Sequence, residues 1–258
     1  MNVYLIRHET EISEFKNRYI YERIKMFVNR IVTGFRGFYR NFLVSTLWKQ
    51  AEPQIYVIKG KILGNEGKAQ TLYNLVLNSG ANNVFAVVRY NGGHNRGGNL
   101  VTSGGNHLCL SQLNSAVSLG VMTVIAGDDA LLDPGKIIHE ADELAGILGK
   151  SREAILDNNT KIDGKTGLIT NLHIMLNRME EILNGHGTIG VGIYQAAQDK
   201  NNPNRLTFDD LFDENRLKAK VPQIVREKIT AAMILIKSKT DGHLAKELKA
   251  EFELACGS

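Results

Sequence analysis

This sequence predicts an α/β fold: a mainly parallel sheet with flanking helices, a helical N-terminal arm before it and a helical C-terminal tail after it. Three observations lead there. Apolar runs of strand length, "IYVI" at 55–58, "VFAVV" at 84–88 and "VMTVI" at 121–125, each run into a turn that contains glycine. Between them lie stretches whose apolar residues recur every three or four positions, the helical period. From Thr207 onward only that helical period remains.

Taken in order, residues 1–53 form an arm rich in bases and aromatics, closed by Pro53. Ile12, Phe15, Tyr19, Phe27 and Ile31 recur at roughly helical spacing there, and Gly34 and Gly37 interrupt the pattern before "FYRNFLVSTLW". Residues 54–206 form the α/β core. "QIYVIKG" is a buried strand, and "EGKAQTLYNLVLNSG" is a helix with Ala69, Leu72, Tyr73 and Val76 on one face and Gly80 just past its end. "NVFAVVRY" is the second strand, and "NLVTSGGNHLCLSQL" folds back as a hairpin around Gly104 and Gly105. "GVMTVIAG" is the third core strand. Asp133 caps the helix after it, with Pro134 in the first turn and Ile137, Ile138, Ala141, Leu144 and Leu148 inward. Leu172, Leu176, Met179 and Leu183 mark a further amphipathic helix that ends at "NGHG". Residues 207–258 are the helical C-terminal region. "TFDD" resembles a capping box, Pro222 marks a break, and Leu244, Leu248, Phe252 and Ala255 form the apolar face of the last helix.

The totals bound the function. The 258 residues suffice for one large domain or two small ones. With 43% hydrophobic and 22% charged residues, the chain has globular composition and is not disordered throughout. A net charge of +4 is too weak alone to imply a nucleic-acid partner. Cys109 and Cys256 are the only cysteines, which excludes a disulfide framework and a Cys-rich metal site. No apolar run reaches membrane-spanning length, and "MNVYLIRHETEISEFKNR" places charges where a signal peptide keeps its apolar core. The expected compartment is the cytoplasm.

Two loops carry the candidate chemistry. In "GKILGNEGKAQ", residues 60–70, Gly60, Gly64 and Gly67 let backbone approach an anion, the following helix offers free N–H groups, and Lys68 adds a point charge. The spacing is not that of a Walker A loop, whose earlier glycine would fall on Ile62. As a bare pattern, tight strand-to-helix packing accounts for this loop equally well. The second loop, "RYNGGHNRGGNLV" at 89–101, holds Gly92, Gly93, Gly97 and Gly98, more glycine than a simple connection needs. Both loops follow strands, so both would meet at one edge of the sheet, where α/β proteins bind ligands.

In this order the segments resemble the adenylosuccinate synthetase family, purine ligases that join aspartate to IMP at the expense of GTP. "GKILGNEGKAQ" looks like the family's phosphate loop, which reads Gly-Asp-Glu-Gly-Lys-Gly-Lys from the place of Gly64, and "RYNGGHNRGGNLV" looks like its Gly-Gly-x-Asn-Ala-Gly-His-Thr loop. "VIAGDDALLDPGKIIHEADEL", "GLITNLHIMLNRMEE", "GTIGVGIYQAAQDK" and "LTFDDLFDENRLKAKV" follow in the family's order, so the resemblance covers about residues 55–225, the family's first half. It implies a fold related to P-loop NTPases. It also implies phosphate- or nucleotide-binding positions, here vestigial, at Gly64, Glu66, Gly67, Lys68, Asn95, Gly97 and Thr188.

The departures bear on catalysis. The family's aspartate after the first glycine, which deprotonates the IMP base and contacts Mg²⁺, is Asn65 here, and an amide cannot take that proton. The family's histidine acid falls on Gly98 and the threonine after it on Asn99. The second threonine of a Thr-Thr pair, a ligand of the IMP phosphate, falls on Ile189, the next arginine on Val191, and the later phosphate-loop lysine on Gln70. The family's second half, with its aspartate-binding loop and guanine-reading Lys-x-Asp motif, has no room in 258 residues, and "KSKTDG" at 237–242 is read as a helix end.

The expectation is therefore a non-catalytic, synthetase-derived protein that acts by binding or assembly, with no catalytic residue at Asn65 or Gly98, no metal site and no cofactor. The alternative is an active purine-nucleotide ligase using GTP or ATP and Mg²⁺, with an altered substrate or a partner chain completing its site. Bases such as Lys16, Arg18, Arg23 and Arg36 interleave with Phe27, Phe35, Tyr39 and Trp48 in the arm. Packing of that arm as a helical pair on the core, on a sister subunit or in a larger assembly ranks ahead of binding nucleic acid or an anionic surface. His94 is expected to lie at the surface or pack its loop, His139 and His173 to sit on helix surfaces or half-buried, and "GDD" at 127–129 to cap and solvate a turn.

Overall fold

A computed structural model describes residues 2–7, 54–59, 67–95, 97–238 and 242–256. Five strands form its central sheet: β1 (Asn2–Arg7), β2 (Gln54–Lys59), β3 (Val84–Arg89), β6 (Met122–Ile125) and β8 (Thr160–Ile162). Their order is β2–β1–β3–β6–β8. β3, β6 and β8 run parallel, the arrangement expected of apolar strands joined through helices. Every residue of β3 except Phe85 is buried, as befits a strand covered on both faces.

β1 departs from expectation. The arm was expected to be helical from its first residue, yet "NVYLIR" is a strand antiparallel to both β2 and β3, lying between them. Four consecutive apolar residues, Val3 to Ile6, are too few to show a helical period and suit a strand in the middle of a sheet. The rest of the arm, residues 8–53, lies outside the described residues, and with it the expected helical pattern from Ile12 to Ile31.

The helices follow the sequence periodicity closely. α1 (Lys68–Ser79) buries Ala69, Leu72, Tyr73 and Val76 and ends at Gly80, whose φ of 77° few other residues adopt. Leu72 and Val76 pack with Val84 and Val87 of β3. β4 (Gly98–Val101) and β5 (His107–Leu110) make the expected hairpin, with Gly105 at its turn. β7 (Leu131–Leu132) pairs in parallel with β9 (Gly167–Leu168). α2 (Pro134–Leu148) starts at Asp133, whose Oδ1 accepts from the Lys136 N–H at 3.0 Å.

One inward position of α2 was misassigned. Ile138 is exposed, while Glu140 is fully buried. The Glu140 carboxylate reaches a turn where the N–H groups of Ser111, Gln112 and Leu113 donate to it at 2.8–3.0 Å. Such charge-assisted bonds, each worth about 1.5–3 kcal/mol, compensate for its burial.

α3 (Asn171–Asn184), α4 (Ile193–Gln198), α5 (Glu214–Lys237) and α6 (Gly242–Cys256) complete the fold. Met175, Leu176 and Met179 of α3 pack with Ala232 of α5 and Leu248 of α6. The "TFDD" capping box forms, with Thr207 and Asp210 exchanging hydrogen bonds ahead of a short 3₁₀ turn. Pro222 does not break the chain as expected: α5 runs through it. Lys218, whose carbonyl loses its partner to the proline ring, and Pro222 are both exposed, so water can solvate the freed group. No helix among the described residues is long and apolar enough to cross a membrane.

Candidate functional site

The first loop enters the structure at Gly67, in the left-handed conformation at φ 66°, immediately before α1. Gly67 has no side chain to cap the helix, and the first turn carries no acidic residue, so the positive end of α1 faces the loop. Lys68 opens the helix and is half-buried. Gly64, Asn65 and Glu66 lie outside the described residues. Gln70, at the place of the family's later lysine, is committed to β4: its Oε1 accepts from the Val101 N–H at 2.8 Å and its Nε2 donates to the Val101 carbonyl at 3.2 Å.

The second loop is clamped by a residue that sequence reasoning passed over. Arg89, the last residue of β3, is fully buried and donates to the Gly92 carbonyl at 2.7 Å, Gln112 Oε1 at 3.0 Å and the Leu131 carbonyl at 3.1 Å. The signal was a lone charge ending an apolar strand. Gly92 donates to the Asp129 carbonyl at 2.9 Å, which ties the loop to β7. A Cβ at Gly93 would fall 2.5 Å from Ile193 Cδ1, the end of a side chain that would have to turn aside to admit it. His94 packs inward, with Nε2 3.6 Å from Asp133 Oδ2, and burial pushes its pKa below the ordinary value. Asn95 is exposed and Gly97 half-buried.

Gly98 is where the two loops meet. Its Cβ position lies 3.7 Å from Ala69 Cβ on α1, but also 2.0 Å from the carbonyl oxygen of Leu110, its register partner in β5. Backbone occupies the place where a side chain would begin.

Thr188 is organised from α3. Its Oγ1 accepts from Asn177 Nδ2 at 3.0 Å and donates to Glu181 Oε2 at 2.9 Å. Gly192, at φ 74°, presses the loop onto the His173–Ile174 backbone. Ile189 is 67% exposed. The structure thus brings Gly98 of the second loop against Ala69 in the first turn of α1, and it ties Thr188 to α3.

A buried charge cluster was not anticipated. His173 is buried rather than half-buried: the Thr170 N–H donates to its Nδ1 at 3.0 Å, so the neutral ring carries its proton on Nε2, 2.9 Å from Asp199 Oδ2. Lys228 Nζ lies 2.5 Å from Asp199 Oδ1. Burial pushes the Asp199 pKa up, but the hydrogen bonds from His173 and Lys228 outweigh it and hold the carboxyl below its ordinary value. The cluster pins α3, the end of α4 and α5 together. At 127–129, Asp129 pairs with Lys200 and the Asp128 carbonyl accepts from Arg205 at 2.9 Å. No group of three metal-ligating side chains occurs among the described residues.

Comparison with known proteins agrees with this architecture. The profile of the adenylosuccinate synthetase family matches residues 57–254, further into the helical tail than the resemblance in sequence had reached. The adenylosuccinate synthetase of Alkalilimnicola ehrlichii is 31% identical over 172 residues, covering 66% of this chain and 37% of that protein. The enzyme of Picrophilus torridus is 32% identical over 180 residues, covering 67% and 39%. The chain thus spans under two fifths of the length of these relatives. The fully ligated adenylosuccinate synthetase of Plasmodium falciparum shares the fold with a TM-score of 0.55 at 19% identity, over 75% of this chain and 42% of that one. With more than half its length matched, this chain belongs to the adenylosuccinate synthetase family.

Proposed function

We propose that this chain is a non-catalytic member of its family that acts by binding or assembly and keeps a vestigial phosphate corner at Gly64 to Lys68. The observation that carries the reading is Gly98. The family resemblance puts the catalytic acid there, and the Leu110 carbonyl lies 2.0 Å from where that side chain would start. Asn65 at the position of the base, Gln70 turned toward β4, and exposed Ile189 in place of a phosphate-binding threonine support the same reading. A missing general acid or base typically costs ~10²–10⁴-fold in rate, so losing both leaves little of the reaction. GTP and IMP should bind more weakly than ~100 µM, the level a few phosphate contacts sustain. Assembly through residues 8–53, in the cytoplasm, is the role we assign to the basic and aromatic arm.

The family names of the relatives favour a second reading, a purine-nucleotide ligase whose remaining parts come from a partner chain. That enzyme would need GTP or ATP and Mg²⁺, to which Asn65 offers only a neutral amide oxygen. The deciding experiment incubates the protein with IMP, aspartate, GTP and Mg²⁺ and follows GDP release with mass detection of product. No adenylosuccinate is expected. Aspartate-dependent product would establish the ligase instead.

A further inference from the structure

The central sheet has two faces, and α1 and α2 lie on the same one. β2 leads through α1 to β3, and β6 leads through α2 to β8, both steps running the same way across the order β2–β1–β3–β6–β8. Right-handed crossovers of one sense set their helices on one face. The packing agrees. Val87 of β3 clusters with Leu72 and Val76 of α1, and Ile125 of β6 clusters with Ile137, Ala141 and Leu144 of α2. Alternate residues of the same strands form the other face, where Val88 is the register partner of Val124 and Ala86 that of Met122. Ala86, Val88 and Val124 are 2%, 4% and 1% exposed, yet none of them belongs to the apolar clusters that the described helices build. Parallel strands of this kind are covered on both faces, so this face needs a cover besides those helices.

We propose that the face formed by Ala86, Val88 and Val124 is the docking surface for residues 8–53 of the same chain. The segment leaves the sheet at Arg7 and returns at Gln54, which are register partners, and Arg7 also pairs with Val84 at the start of β3. Both of its ends therefore stand at the rim of this face. Antiparallel neighbours such as β1 and β2 need only a short turn between them, so their pairing does not require the segment, whereas covering the face does. Ile12, Phe15, Tyr19, Phe27 and Ile31 recur there at roughly helical spacing, which is the stripe a helix lays on a sheet. A single chain already buries the three residues, which favours its own arm over that of a second copy. The inference deepens the assembly role assigned to the arm. With the apolar stripe turned onto the sheet, the arm's polar side is what remains for a partner.

The test labels the valine methyl groups of the full chain with ¹³C and records nuclear Overhauser effects to aromatic ring protons. The Val88 and Val124 methyls should show cross-peaks to rings of the arm, assigned by their loss in Phe15→Leu, Tyr19→Leu or Phe27→Leu. Val87, which faces α1, is the control and should show none to those rings. A second sample mixes chains labelled only at valine methyls with chains protonated only at their aromatic rings. There the cross-peaks should be absent. Their appearance in the mixed sample would mean that a second copy's arm covers the face, and the proposal would fail. It would fail equally if Val88 and Val124 in the full chain showed no cross-peak to any ring of residues 8–53. These cross-peaks are read without reference to oligomer mass, so an arm that docks here but drives no assembly would overturn the assembly reading alone.

Discussion

Replacing Gly98 by alanine adds one methyl group at the corner where the two loops meet. The new Cβ would lie 2.0 Å from the Leu110 carbonyl oxygen, whereas real Cβ atoms essentially never approach closer than 3.0 Å. One strand must therefore move by at least an ångström, and the obstacle is backbone rather than the end of a flexible side chain. That movement breaks the pairing of Gly98 with Leu110 and loosens Leu100, Leu108 and Leu110, all buried in the main core. One or two lost ladder hydrogen bonds at about 1 kcal/mol each, together with partial exposure of Leu110, give a cost of about 2–4 kcal/mol. For a chain of this size that lowers the melting temperature by roughly 5–15 °C. Gly104→Ala is the control within the same hairpin, since its nearest atoms lie 3.9 Å from the added Cβ and it should change stability by less than ~0.5 kcal/mol. Urea unfolding of the two variants beside wild type measures the difference. If Gly98→Ala unfolds with the same midpoint as Gly104→Ala, the corner has room for a side chain. The main support for a non-catalytic reading then fails, and Gly98→His becomes a reasonable restoration of the acid.

Three further outcomes follow from the buried charges and the arm. Asp199→Asn should cost about 3 kcal/mol in urea unfolding, because one amide cannot accept from both His173 Nε2 and Lys228 Nζ and a buried ammonium loses its counter-charge. Lys228→Met in the same background should recover most of that loss. Asp199 and Asp210 both have folded pKa values below their unfolded ones, so the stability they contribute is present above about pH 4 and is lost as pH falls through the lower folded values. Melting temperatures of wild type should drop over that acid window more steeply than those of Asp199→Asn, and parallel curves would contradict the assignment. Arg7 and Gln54 are register partners across β1 and β2, so an Asn-Gly turn can replace residues 8–53 without disturbing the sheet. Sedimentation of that shortened chain should show a smaller assembly than the full chain, and an unchanged mass would remove the arm from the interface.

Much of the local structure was legible in the sequence because local structure has a local period. Ala69, Leu72, Tyr73 and Val76 recur at helical spacing and are the buried face of α1, and Asp133 followed by Pro134 starts α2 where a cap and a first-turn proline should. The order of motifs likewise carried the family, since several weak blocks in one sequence constrain each other more than any one does alone. Partners distant in the chain left no such period. Nothing in "NVYLIR" says that it enters the sheet between β2 and β3, because strand order depends on what lies alongside. Ile138 and Glu140 exchange their expected places because three N–H groups some 30 residues earlier make burial of a carboxylate favourable and leave an isoleucine outside. Gly98 shows the same division: its identity in the sequence showed that a side chain is missing, and the position of the Leu110 carbonyl determined that none can be added there. Periodicity and composition depend on neighbours along the chain, whereas a counter-charge or a closed corner depends on groups that only folding brings within 3 Å of each other.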